Sequence, residues 1–147
     1  MPRQRIVVAV GLPASGKSHY FEQIHANPLS SDAIRILLSD DENNQTIHGP
    51  VFAALRYLLI QRIQLRNALT YIDATSLTRR DRRPYIEIAR AYNCEIEAIH
   101  FDVPLSVCLK RNAHRVRQVP AGVLQLMAAR LIPPSTSEGF DRISVPL

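Results

Sequence analysis

Eight residues near the start of the sequence, Gly11-Leu12-Pro13-Ala14-Ser15-Gly16-Lys17-Ser18, have the types and the spacing to grip a polyphosphate. The pattern Gly-x4-Gly-Lys-Ser is chemically demanding, because backbone NH groups can wrap phosphate oxygens only where glycine lets the chain come close. Gly11 and Gly16 supply that freedom, with Pro13, Ala14 and Ser15 filling the arc between them. Lys17 would reach the β- and γ-phosphates as a point charge, and the Ser18 hydroxyl would coordinate Mg²⁺. His19 follows directly and completes the candidate nucleotide contacts. The cofactors expected are therefore ATP, or another nucleoside triphosphate, and Mg²⁺.

A phosphate loop alone does not separate kinases from GTPases, motors or switches. No Asn-Lys-x-Asp guanine-reading motif occurs, which weighs against a GTPase. Asp73 lies at the end of an expected strand, within Tyr71-Ile72-Asp73-Ala74-Thr75, where a carboxylate could hold a Mg²⁺-bound water or simply cap a strand end. Asp32 and Arg35 follow the very short segment Leu29-Ser30-Ser31, three residues apart and so on one helical face. Asp32 could accept a proton from an attacking hydroxyl while Arg35 clamps an acceptor phosphate. An N-cap Asp paired with Arg at i+3 is the alternative. His19, His25, His48, His100 and His114 lack ligand spacing, and Cys94 and Cys108 read as reduced structural thiols.

These side chains need a frame. Ile6 to Val10 is an unbroken apolar run, as for a strand buried on both faces of a parallel sheet. Strands are also expected at Leu29–Ser31, Leu69–Ala74, Glu95–Phe101 and Ile143–Val145. Helices are expected at Lys17–Ala26, Asp32–Leu38 with Asp32 as N-cap, Val51–Asn67, Thr78–Tyr92, Pro104–Asn112 and Pro120–Leu131. Ser39 to Pro50, rich in Asp, Asn, Gly and Pro, reads as a polar loop. Alternating strands and helices imply an α/β fold with right-handed crossovers, in one domain over 1–147.

The composition is that of an ordinary globular chain, with 46% apolar and 21% charged residues. Of its eighteen basic residues, all but Lys17 and Lys110 are Arg, and the net charge is +5. An Arg-dominated surface suits bidentate contact with phosphates, or it serves solubility alone. The Arg79-Arg80-Asp81-Arg82-Arg83 cluster could track a nucleic-acid backbone or be a solvated helix start. No stretch reaches signal-core or membrane-spanning length, so no membrane association and a cytoplasmic location are expected.

The run Leu29-Ser30-Ser31-Asp32-Ala33-Ile34-Arg35, followed by Ser39-Asp40-Asp41-Glu42-Asn43, resembles the kinase module of bacterial and phage polynucleotide 5′-kinases. The likeness continues through Asp73-Ala74-Thr75, the stretch Cys108 to Arg115 and Glu138-Gly139-Phe140. It implies a P-loop kinase fold with about five parallel strands in the order 2-3-1-4-5, and a helical lid at about 111–131. It implies that Asp32 is the general base for a 5′-hydroxyl end of RNA or DNA and that Arg35 grips the neighbouring phosphate. Arg111 and Arg115, four apart on one helix face, would be lid arginines closing over the nucleotide. Arg117 falls off the family's arginine positions, and Ser76 stands where the family usually has Asn. Separate 3′-end-processing or ligase proteins would be the partners implied. Two other readings are a kinase of the same fold acting on a sugar, nucleoside or antibiotic, and a nucleotide-gated switch protein.

Overall fold

The computed structural model describes residues 2–146. Five strands, β1 (Arg5–Val10), β2 (Leu29–Ser30), β3 (Leu69–Asp73), β4 (Glu95–His100) and β5 (Arg142–Ser144), pair in parallel in the order β2-β3-β1-β4-β5. This is the order expected from the resemblance. Six helices cover the sheet: α1 (Lys17–Gln23), α2 (Ser31–Ser39), α3 (His48–Gln64), α4 (Arg79–Ala91), α5 (Leu105–Ala113) and α6 (Ala121–Arg130).

Side chains alternate across a strand, so β1 feeds two cores at once. Ile6, Val8 and Val10 pack with Leu55 and Leu59 of α3, Ile72 of β3, Ile86 of α4 and Ile96 of β4. Val7 and Ala9 face the other way, onto Phe21 of α1 and Ile99 and Phe101. Burial on both faces explains why the segment reads as continuously apolar. A third cluster, Leu12, Leu77, Cys108 and Leu124, fastens α5 and α6 beside the phosphate loop. Both cysteines are free and buried.

Several boundaries differ from the sequence expectations. The N-cap of α2 is Ser30, whose hydroxyl accepts from the Ala33 NH at 3.2 Å, so Asp32 lies inside the first turn instead of capping it. Ser39 to Pro50 is only partly loop. A 3₁₀ turn spans Gln45–Ile47 and α3 already begins at His48, with Pro50 accommodated in its first turn, where no intrahelical donor is lost. The stripe Val51, Leu55, Leu59 and Ile63 carries the helical period, which is why the expected start fell at Val51. α1 and α3 stop short of their expected ends, and His25 and Arg66 just beyond them adopt left-handed φ of 55° and 66°.

Arg82 lies fully buried, so neither reading of the arginine cluster, a backbone-tracking patch or a solvated helix start, applies to it. Its Nε and Nη2 donate to the two carboxylate oxygens of Glu138 at 2.8 and 3.0 Å, and its Nη1 donates to the carbonyls of Ser76, Leu77 and Ile132. Arg82 thereby ties the start of α4 to the chain entering β5. Arg79, Arg80 and Arg83 remain exposed. Thr78 caps α4 through a capping box with Asp81.

Glu97 on β4 joins Arg5 of β1 at 2.7 Å and Arg142 of β5 at 3.0 Å, a clamp across three neighbouring strands. The Arg5 hydrogen bond, helped by Arg142, holds the Glu97 carboxyl below its ordinary value of 4.5. A depressed folded-state value means that the stabilisation is present above the unfolded value and is lost as pH falls through the folded one. Glu97→Gln is expected to cost roughly 0.5–1 kcal/mol at neutral pH, since Arg142 is exposed and Arg5 partly so. Urea titrations at pH 7 and pH 3 check it: the gap between wild type and variant should close at the lower pH.

Candidate phosphate-loop site

The loop between β1 and α1 turns at the carboxyl edge of the sheet, where strand ends and helix starts meet. Gly11 donates its NH to the Thr75 carbonyl at 3.2 Å, so the loop is anchored to the end of β3. A Cβ at Gly11 would stand 2.7 Å from Ser15 Oγ and 2.9 Å from Phe101 Cβ, which excludes any side chain there. Ala14 and Gly16 take left-handed φ of 65° and 101°, and the alternation turns the loop back over itself. The left-handed Gly16 precedes Lys17, the first residue of α1.

Lys17 is buried, and its Nζ donates to the Gly11 and Leu12 carbonyls at 2.8 and 2.9 Å. Burial lowers its pKa to about 8, opposed by the negative charges of Asp73 and Asp32. The Asp73 carboxyl is pushed above its ordinary value by burial, with Lys17 pulling it down and Asp32 adding to the rise. These three groups feel one another because of the sheet register. Ser30 pairs with Asp73 across β2 and β3, which brings the start of α2, and with it Asp32, to the same rim as the loop.

The residues present fit a nucleotide polyphosphate. The loop leaves no space for a Cβ at Gly11, Ser15 Oγ is buried with no hydrogen-bond partner among the described residues, and a buried ammonium lies inside the turn. Among the described residues no group of three or more His, Cys, Asp or Glu could hold a metal ion. A Mg²⁺ at Ser18 and a water on Asp73 would therefore draw its remaining ligands from phosphates and solvent.

Asp32 is more than half exposed. Arg35, on the same helix, is 5% exposed, and its Nη1 donates to the Asn44 carbonyl at 2.9 Å. The two side chains thus share a helix but not an environment. Arg111 sits in the last turn of α5, with Nη1 3.5 Å from the Ala14 carbonyl and close to Gly16. α5 ends at Ala113, so Arg115 lies in the connection to α6; the expected shared helix face with Arg111 does not exist. Its positive charge still bears on Lys17. Pro13 and Ala14 are half-buried, and Ser18 and His19 are exposed at the start of α1.

Arg117 is the residue that sequence reasoning left without a place. Its Nη1 meets Asp32 Oδ2 at 3.1 Å, its Nε meets Asn43 Oδ1 at 3.2 Å and Glu42 Oε1 at 3.4 Å, and its Nη2 meets the Glu42 carbonyl at 3.2 Å. Asp32 and Arg117 are 85 residues apart in sequence, and no local spacing signals such a contact.

A β2-β3-β1-β4-β5 parallel sheet with a Gly-x4-Gly-Lys-Ser loop after its central strand is the P-loop kinase fold. The family model described as "AAA domain" matches residues 6–134, and the chain belongs to that family. L-seryl-tRNA(Sec) kinase of Methanococcus maripaludis is 23% identical over 145 residues, covering 92% of this chain and 56% of that protein. A chain of the Pnkp1/Rnl/Hen1 RNA repair complex superposes with a TM-score of 0.73 at 17% identity, over 89% of this chain and 45% of that one. The APS kinase CysC of Mycobacterium tuberculosis, solved with AMPPNP and APS, gives 0.61 at 17% identity over 99% and 90%. The chain spans about half the length of the first two. Among the described residues no helix is long and apolar enough to cross a membrane.

Proposed function

We propose that this domain transfers the γ-phosphate of ATP to the 5′-hydroxyl end of a polynucleotide. The observation that carries the reading is the shared rim: a buried lysine in a phosphate loop, a half-buried carboxylate at Asp73 and an exposed carboxylate at Asp32 lie within one another's electrostatic reach. In-line phosphoryl transfer asks the protein mainly for positioning and charge stabilisation, and this rim has parts for both sides of the reaction.

Gly11 to Ser18 hold the phosphates, with Lys17 on the β- and γ-groups, and Arg111 and Arg115 approach from the lid to offset charge on the transferring group. Ser18 and a water on Asp73 would hold Mg²⁺, which when bound supplies positive charge to the phosphates. Asp32 accepts the proton of the attacking hydroxyl. Arg35 steadies the turn beside it through Asn44, and an acceptor phosphate would draw its guanidinium from that carbonyl.

Support for a nucleic-acid acceptor comes from the Ser-Ser-Asp-x-x-Arg and Ser-Asp-Asp-Glu-Asn elements, the arginine-rich surface and two relatives whose names concern RNA. The likeness to APS kinase favours a small-molecule alcohol as the second reading. ADP release in the presence of candidate acceptors separates them. A 5′-hydroxyl oligonucleotide should stimulate release and its 5′-phosphorylated twin should not. Stimulation by a sugar or nucleoside alone would replace the polynucleotide reading with the second.

A further inference from the structure

Arg117 joins two parts of the molecule that the fold otherwise keeps apart. It stands in the α5–α6 connection, whose base is closed by a reciprocal pair: Asn112 Nδ2 donates to the Val119 carbonyl at 2.6 Å and Val119 NH donates back to Asn112 Oδ1 at 2.9 Å. Asn112 is buried, and Gln118 adds a bond to the Ala113 carbonyl. The connection therefore starts from a fixed footing. At one end Arg111 touches the phosphate loop through Ala14, and at the other Arg117 reaches Asp32 and the 42–44 turn.

That turn is held from both sides. Arg35 binds its Asn44 carbonyl from within, while Arg117 binds Glu42 and Asn43 from the connection. The Arg117 guanidinium spends its fork on four acceptor groups, an arrangement that a lysine ammonium cannot reproduce. Arg117 engages Asp32 through Oδ2, and Oδ1 has no hydrogen-bond partner among the described residues. One oxygen is thus occupied by the protein and the other is available to an acceptor hydroxyl.

We infer that Arg117 is a positioning residue for the transfer: it sets the Asp32 carboxylate and the 42–44 turn from the same segment that approaches the nucleotide through Arg111. This inference rests on the transfer reading above. It makes the base and the lid one mechanical unit, so that the acceptor side is ordered when the connection lies over the phosphate loop. An ordinary surface ion pair would contribute little and would leave catalysis unchanged.

The test uses wild type, Arg117→Ala, Arg117→Lys, Asp32→Asn and the Asp32→Asn/Arg117→Ala double variant, with two readouts. In 5′-end labelling, Arg117→Ala should lower kcat about tenfold, a positioning effect, and leave KM for ATP within about twofold. Arg117→Lys should recover part of the loss, and the double variant should be no slower than Asp32→Asn. In amide hydrogen exchange, Arg117→Ala and Asp32→Asn should each deprotect both residues 112–119 and residues 40–44. Unchanged kcat, a loss that adds fully to that of Asp32→Asn, or deprotection confined to 112–119 would overturn the inference. A wild type that labels no 5′ end overturns the transfer reading, and the exchange result still decides whether Arg117 ties the connection to the turn.

Discussion

Lys17→Ala is expected to lower transfer from ATP by ~10²–10³-fold and to weaken ATP binding, the scale for losing one preorganised charge stabiliser. The magnitude follows from where the amine is kept. Nζ lies buried in the turn of the loop, tethered to the Gly11 and Leu12 carbonyls, and burial has already lowered its pKa to about 8. A cation held out of water interacts more strongly with phosphate than a solvated one does. Its cost has been met in folding, so no reorganisation remains when charge develops on the transferring group. Alanine removes that charge and leaves the backbone of the loop to act alone. Single-turnover transfer and calorimetric titration with ATP check the two halves. Unaltered binding and rate would mean that the loop does not hold the triphosphate.

Asp32→Asn should separate the two sides of the site. The amide is nearly the same size as the carboxylate but cannot take a proton, so a loss of at least ~100-fold in rate is expected, the scale of general-base catalysis. ATP affinity should hold, because Asp32 belongs to α2, pairs with Arg117 and bears on Lys17 through its charge. Rate measured at saturating ATP, beside the dissociation constant for ATP, checks both parts. Equal turnover in the variant would reduce Asp32 to a partner for Arg117. A fall in ATP affinity with unchanged turnover would move it to the nucleotide side.

Where the physics is local, the sequence carries the structure. The five-residue apolar run before Gly11 announces a central strand because both of its faces are covered, and the loop announces itself because glycine is obligatory at Gly11 and favoured at Gly16. The order of strands came with the resemblance, since nothing in the strands themselves says which lies beside which. Tertiary contacts decided the rest. Arg82 reads as one of a solvated group until Glu138, 56 residues later, is seen to bury it. Arg35 reads as a free clamp until Asn44 is seen to hold it. Arg111 and Arg115 read as neighbours on a helix, which ends between them because Asn112 turns its side chain to Val119 and closes the connection. The contact of Arg117 with Asp32 joins elements that no periodicity relates.

The loop has the geometry to hold phosphates, and the proposed activity turns on the acceptor that would meet them. Transfer of labelled γ-phosphate from ATP to a 5′-hydroxyl oligonucleotide tests this most directly, with the same oligonucleotide already 5′-phosphorylated as the control. The prediction is label at the 5′ end of the first and none on the second. ATP bound at the loop with no labelled 5′ end, on RNA or on DNA, would contradict it.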